Sequence, residues 1–358
     1  MMNHPSGRWL RNCALGAGAV VLSAGLLAGC ASGTPTSSHT AGLKTIHVAL
    51  GWIPNVEFAG YWLADNEGYY AKEGLKIDWI PGGPNAPAPE SSVAAGTADL
   101  GVSPDTKTLI DASKENNFVL IGTTYQSGPG CLLSMTKDPV TNVSDLSGKT
   151  FLAQDEAVVK ALFAVNDLKP DYKFVPTSFD PGPLVQGQGD AYTAYITNQA
   201  VAMELQYGLK KGKDFNCVLY SKMNYPSLTD TLFGTRKYVN SNRDAVEGFL
   251  RASAKGWLEN AKDPAKAAHL AVDKYGADLG LKLDQQITQN KAQIPLTHTD
   301  YTDKHGILRI DDTYLGGPIY KALRASGSKN LPPVKDIVDQ TYLDNVYKDG
   351  LNPTVGSK

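Results

Sequence analysis

Positive charge is not in surplus in this sequence: 34 lysines and arginines stand against 36 aspartates and glutamates, a formal net charge of −2. A chain without a basic excess lacks the electrostatic footprint of a nucleic-acid binder, so no nucleic-acid partner is expected. Histidine and cysteine are scarce, six and four residues respectively. Of the later histidines, His39, His47, His269, His298 and His305, none stands at H-E-x-x-H spacing or beside cysteines at zinc-finger spacing, and no metal centre is expected. Gly187-Gln188-Gly189-Asp190 lacks the third glycine of a dinucleotide fingerprint, so no cofactor is expected either. Gly101-Val102-Ser103-Pro104-Asp105 lacks the second glycine of the G-x-S-x-G elbow, which disfavours a hydrolase. Beyond Leu27 no segment has the length or apolarity of a membrane span, which takes about 20 predominantly apolar residues.

What is present begins with Arg8 and Arg11, followed by an uncharged run from Cys13 to Leu27 rich in Ala, Gly, Leu and Val, the layout of a secretory signal. The run closes on Leu27-Ala28-Gly29-Cys30, which resembles the bacterial lipobox, where small residues fit a lipoprotein signal peptidase and the cysteine thiol takes a diacylglycerol. That resemblance implies removal of residues 1–29, lipidation of Cys30, and a location on the extracytoplasmic face of the cell membrane. A transmembrane anchor is the alternative, but the run is short and rich in small residues. Residues 30–44 are polar, poor in large side chains, and read as a tether. Losing Arg8 and Arg11 with the signal leaves 32 basic and 36 acidic residues, a charge of −4. Cys13 leaves with the signal as well. Cys131 and Cys217 then remain in an oxidising compartment, as one disulfide or as two buried thiols.

From Thr45 strands and helices alternate. The strands are Thr45–Leu50, Leu75–Ile80, Asp99–Val102 and Phe118–Tyr125, with helices at Phe58–Glu67, Glu90–Ala95 and Thr106–Lys114. Gly128-Pro129-Gly130 punctuates the pattern, and a second α/β series follows, ending with a strand at Thr229–Thr235. After Ser241 the segments Arg243–Ala261, Ala265–Lys274, Leu281–Lys291 and Asp311–Ala325 read as amphipathic helices. About 310 residues exceed one hydrophobic core. The expected organisation is a first lobe over 45–126, a second over 127–238, and C-terminal helices over 239–358 that pack mostly on the first lobe. The fold class is α/β, each lobe a mixed sheet flanked by helices.

The segments Gly51-Trp52-Ile53-Pro54-Asn55, Gly68-Tyr69-Tyr70-Ala71-Lys72-Glu73-Gly74-Leu75, Ala95-Gly96-Thr97-Ala98-Asp99-Leu100-Gly101 and Asp190 through Asn198 together resemble solute-binding proteins of the thiamine-pyrimidine-precursor and nitrate/sulfonate/taurine group. The resemblance runs from about Ile46 to Tyr238. It implies a two-lobed periplasmic-binding-protein fold of type II and a ligand cleft between the lobes. It also implies a monomer that hands its ligand to the permease and ATPase of an ABC importer.

Ligands in open α/β sheets sit beyond the carboxyl ends of strands, so the cleft is expected to be lined by the segments that follow strands. Those segments contain no Lys or Arg and supply Trp52, Asn55, Glu57, Tyr61, Ser103, Asp105, Tyr125, Asp155, Tyr195, Asn198, Tyr225 and Asp230 as candidate ligand-binding residues. Carboxylates and rings suit a flat, donor-rich or cationic ligand, which stacks on aromatics and gives its amino hydrogens to acids. A thiamine pyrimidine precursor is the first expectation; riboflavin, a sulfonate such as taurine, and nitrate are the alternatives. Plainer roles compete at several positions: Trp52 and Tyr61 as core rings, and Glu57, Asp105 and Asp155 as helix caps. An enzyme of pyrimidine metabolism on the same fold is the rival reading, disfavoured because an exported protein is separated from the cytoplasmic metabolite pool.

Overall fold

Strand β1 (Lys44–Ala49) shows how the sequence pattern becomes a sheet: Ile46 and Val48 are wholly buried while Thr45 and His47 face water, the period of two that a pleated strand requires. The computed structural model describes residues 42–348, in which this strand opens the fold. The expected signal segment, Cys30, the tether up to residue 41 and residues 349–358 lie outside the described residues.

Among the described residues two five-stranded sheets form. The first runs β2 (Leu75–Ile80), β1, β3 (Leu100–Ser103), β10 (Thr229–Thr235), β4 (Phe118–Tyr125). The second runs β7 (Tyr172–Pro176), β6 (Lys149–Ala153), β8 (Ala191–Tyr195), β5 (Gly130–Met135), β9 (Phe215–Leu219). In each sheet four strands run in one direction, and one antiparallel strand, β10 or β5, is wedged between two of them. Both faces of both sheets are covered by apolar clusters, as a largely parallel sheet demands.

One expectation is corrected. Thr229–Thr235 is a strand, as its alternation predicts, but it belongs to the first sheet and not to the second lobe. It runs antiparallel between β3 and β4 with Phe233 opposite Gly101. The pairing needs that glycine, because a Cβ on Gly101 would stand 2.4 Å from the Phe233 ring. Strand alternation says nothing about which sheet a strand joins, and this chain crosses between its sheets twice, at 126–129 and again between β9 and β10.

The helices after Ser241 differ from their expected form in detail. Arg243–Asn260 packs on the Ala59–Asn66 helix at such close range that a Cβ on Gly256 would stand 2.0 Å from the Gly60 carbonyl oxygen. The predicted helix over Asp311–Ala325 is broken by a widened turn at Leu315–Ile319 that contains Pro318, which has no N–H to give to the helical ladder. The Leu283–Thr297 helix runs further than its polar sequence suggests and carries a stripe of buried amides, Gln286, Gln289, Asn290 and Gln293. In the second lobe Cys131 of β5 and Cys217 of β9 are joined by a disulfide across adjacent strands, their Cα atoms 5.7 Å apart. No helix among the described residues is long and apolar enough to cross a membrane.

Candidate functional site

A cavity of about 330 Å³ opens between the two sheets. Its walls are the segments that leave the carboxyl ends of parallel strands: Gly51, Trp52 and Asn55 after β1, Pro104 after β3, Gln154 and Asp155 after β6, Phe179 after β7, and Thr197, Asn198 and Gln199 after β8. That is where peptide geometry leaves loop backbone free of the sheet ladder, and the volume suits a small metabolite. The mouth is spanned by rings from both lobes, Trp52 meeting Phe179 edge to face with centroids 5.0 Å apart.

Half of the predicted site residues stand on this wall: Trp52, Asn55, Glu57, Asp155, Tyr195 and Asn198. Asn55 works twice as a local organiser, its Oδ1 accepting the Glu57 N–H at 2.8 Å and its carbonyl accepting the Trp62 indole N–H at 2.7 Å. Asp155 Oδ1 accepts the Ala157 N–H at 2.7 Å, so the expected cap and the wall position coincide in one side chain. Asn198 Oδ1 accepts from Gln289 Nε2 at 2.7 Å, a contact that ties the second sheet's loop to the Leu283–Thr297 helix.

The other six do not reach the wall. Tyr61, Tyr125 and Asp230 are wholly or almost wholly buried beneath it: the Tyr61 hydroxyl pairs with Thr124 Oγ1 at 2.9 Å, and the Tyr125 hydroxyl donates to Gln293 Oε1. Ser103 is turned away and donates to the Glu90 carboxylate. Asp105 is a helix cap, accepting the Thr108 N–H at 2.7 Å. Tyr225 packs beside Tyr220, which takes the wall position instead. For Tyr61 and Tyr125 the reason is the position of their elements: neither the Ala59–Asn66 helix nor β4 contributes a residue to the wall, and both are packed inside the first lobe, so their rings join the core.

The electrostatics centre on Glu57 and Asp230. Burial pushes the Glu57 carboxyl up to about 7, offset in part by a hydrogen bond with Asp230. Asp230, which has no exposed surface, is pushed well above the carboxylate range by burial and then by the facing Glu57 charge. Among the described residues no N–H or O–H donor reaches either Asp230 oxygen, so the facing carboxyl of Glu57 is its polar neighbour. Asp230 also has φ +53°, a left-handed backbone uncommon for a residue with a side chain and costly inside a strand. A wholly buried carboxyl and a half-buried one acting on each other at close quarters cannot both ionise cheaply, and one proton between them resolves the conflict.

Sequence reading missed Phe179, Gln199, Tyr220, Gln289 and Gln293 on the wall. A signal for the last two exists: Gln286, Gln289, Asn290 and Gln293 recur at 3, 4 and 7 residues, an amide stripe on one face of a helix where apolar side chains are the rule. The structure shows what the stripe does, since Gln286 Oε1 accepts from the Val56 N–H at 2.9 Å and Gln293 Nε2 donates to the Val56 carbonyl at 2.9 Å, clamping the backbone next to Glu57.

A family model described as NMT1/THI5 like matches residues 55–267, more than half of the chain. The riboflavin-binding protein RibY of Chloroflexus aurantiacus is 24% identical over 339 residues, covering 86% of this chain and 91% of the relative. A formylaminopyrimidine-binding protein of Halalkalibacterium halodurans is 25% identical over 276 residues, covering 74% of this chain and 80% of the relative. The solved periplasmic aliphatic sulphonate binding protein SsuA of Escherichia coli superposes with a TM-score of 0.62 at 15% identity, over 83% of this chain and 92% of that one, which shows the fold they share. The chain therefore belongs to the NMT1/THI5-like family and has the periplasmic-binding-protein fold, two mixed sheets flanked by helices.

Proposed function

We propose that this protein is an extracytoplasmic solute receptor, tethered by lipid on Cys30, that captures a small flat nitrogen heterocycle and delivers it to the permease and ATPase of an ABC importer. A pyrimidine related to thiamine synthesis is the first choice of ligand and riboflavin the second. The carrying observation is the chemistry of the wall, where rings and carboxylates converge and, among the described residues, no Lys, Arg or His takes part. An anionic ligand such as nitrate or a sulfonate needs a positive counter-group or a free helix N-terminus. Of the helix N-termini at the wall, that of Ala157–Val165 already holds the Asp155 carboxylate, and that of Gln199–Leu205, which has no side-chain cap, belongs to a helix of seven residues and has no cation beside it on the wall among the described residues. An N–H-bearing heterocycle instead finds Trp52, Phe179 and Tyr195 for its faces and Glu57, Asp155 and the amides of Gln289 and Gln293 for its edge. Binding rather than turnover is the reading because export separates the chain from the biosynthetic pool.

Calorimetry against a formylaminopyrimidine, riboflavin, taurine and nitrate tests it. The expected result is tight binding of one heterocycle, recovered unchanged by chromatography; tight binding of taurine or nitrate alone, or conversion of the heterocycle, overturns it. Detergent-phase partitioning of wild type and Cys30→Ala tests the anchor, with the variant expected to leave the detergent phase.

A further inference from the structure

Beneath the cavity wall lies a feature that simple ligand contact does not require. Asp230 has no exposed surface and, among the described residues, no N–H or O–H donor on its oxygens, sits in a left-handed backbone within β10, and interacts with Glu57, a residue of the cavity wall. An acid in such a place is costly unless it is kept neutral. Once neutral it has one proton to give, and Glu57 is the acceptor in reach.

We propose that Glu57 and Asp230 act as one unit, in which Asp230 keeps the proton and donates it to Glu57, and Glu57 offers a pH-gated negative charge to a cationic or N–H-bearing edge of the ligand. Asp230 is a positioning residue here, since it never touches the ligand. The proposal rests on the heterocycle reading above and adds to it a proton-coupled capture step. The titratable groups around the pair are Tyr61 from the Ala59–Asn66 helix, Tyr125 from β4 and Tyr195 from β8. All three are held neutral by burial, and Asp105 adds a more remote negative charge that acts on Tyr195. Among the described residues no cation stands on the cavity wall to fix Glu57 as a carboxylate, so the ligand itself supplies the counter-charge.

The sign follows from linkage. A ligand that prefers the carboxylate must displace the Glu57 proton below about pH 7, so affinity falls as pH drops, by about tenfold per unit once the proton is fully bound, and binding releases up to one proton. Two measurements test this. In the ligand-free full chain, carbon-13 NMR of the glutamate side chains, with Glu57→Gln for assignment, is expected to show a Glu57 midpoint near 7. Calorimetry of a formylaminopyrimidine from pH 5.5 to 8.5 is expected to show the affinity loss in wild type and its absence in Glu57→Gln. Asp230→Asn, which keeps a neutral donor and tolerates the left-handed backbone, should leave the Glu57 midpoint in place. Asp230→Gly, which suits the backbone but has no donor, should move it upward. A wild-type midpoint near 4.5, a midpoint lowered by a unit or more in Asp230→Asn, or identical midpoints in the two Asp230 variants each overturns the proposal. If the NMR behaves as expected and no heterocycle binds, the pair stands and the reading of the ligand falls.

Discussion

The two sheets are built in the same order, four strands running one way with one antiparallel strand wedged between two of them, yet they are filled differently. Beneath the first sheet Tyr61, Trp62, Tyr70, Trp79, Phe249, Trp257 and Tyr275 form one continuous set of ring contacts, closed over by the helices after Ser241. The second sheet has fewer rings, an outer strand β7 whose residues are mostly exposed, and a disulfide between β5 and β9. A lobe with enough apolar surface is held by burial, and a smaller one gains from a cross-link that limits its unfolded state. The carboxyl pair sits on the well-filled side, where a rigid surround can hold an awkward proton in place.

The largest break in this comparison is expected from the first lobe's core. Trp62 has no exposed surface, stacks on Tyr275 with centroids 4.1 Å apart, and donates to the Asn55 carbonyl. Trp62→Ala should cost about 3–5 kcal/mol of stability in urea unfolding, with ligand affinity falling too because Asn55 loses its anchor. Next is the cross-link: Cys131→Ala with Cys217→Ala opens an 86-residue separation and should cost about 2–4 kcal/mol, read as a lowered midpoint on the same urea curve. Thiol titration of denatured, unreduced chain lacking residues 1–30, and with them Cys13 and Cys30, should find no free thiols.

The third effect sharpens the comparison by placing strain at the cavity floor. An acid whose folded pKa is raised binds its proton more tightly in the fold, so that stabilisation is complete below its ordinary 4.5 and is lost as pH rises to about 7. At pH 8 the ionised Glu57 therefore works against folding by at most about 3 kcal/mol, reduced by its open cavity side. Glu57→Gln should unfold at a higher temperature than wild type at pH 8 and at the same temperature near pH 4. The smallest effect belongs to Trp52, which is partly exposed and faces Phe179 across the mouth. Trp52→Ala should weaken heterocycle binding by about 1–3 kcal/mol with the unfolding midpoint nearly unmoved, the reverse of Trp62→Ala.

The sequence by itself determined the local elements and the loops that carry the site. The spans Leu75–Ile80, Phe118–Tyr125 and Thr229–Thr235 follow from alternation and turn residues, which act over a few neighbours, and they form as strands with those bounds. The rule that ligands meet the carboxyl ends of parallel strands placed Trp52, Asn55, Glu57, Asp155, Tyr195 and Asn198 on the wall, because that rule needs only the strand ends. Tertiary structure alone decided the sheet that β10 joins, since pairing partners far apart in the chain leave no periodic trace. It decided also which side chains near those ends reach the cavity and which turn inward, as Tyr61 and Tyr125 do, because that depends on the packing of neighbouring elements. The meeting of Glu57 with Asp230, 173 positions later in the chain, belongs to the same class: each carboxyl is ordinary in isolation, and only the fold, by drying the space they share, turns them into a pair.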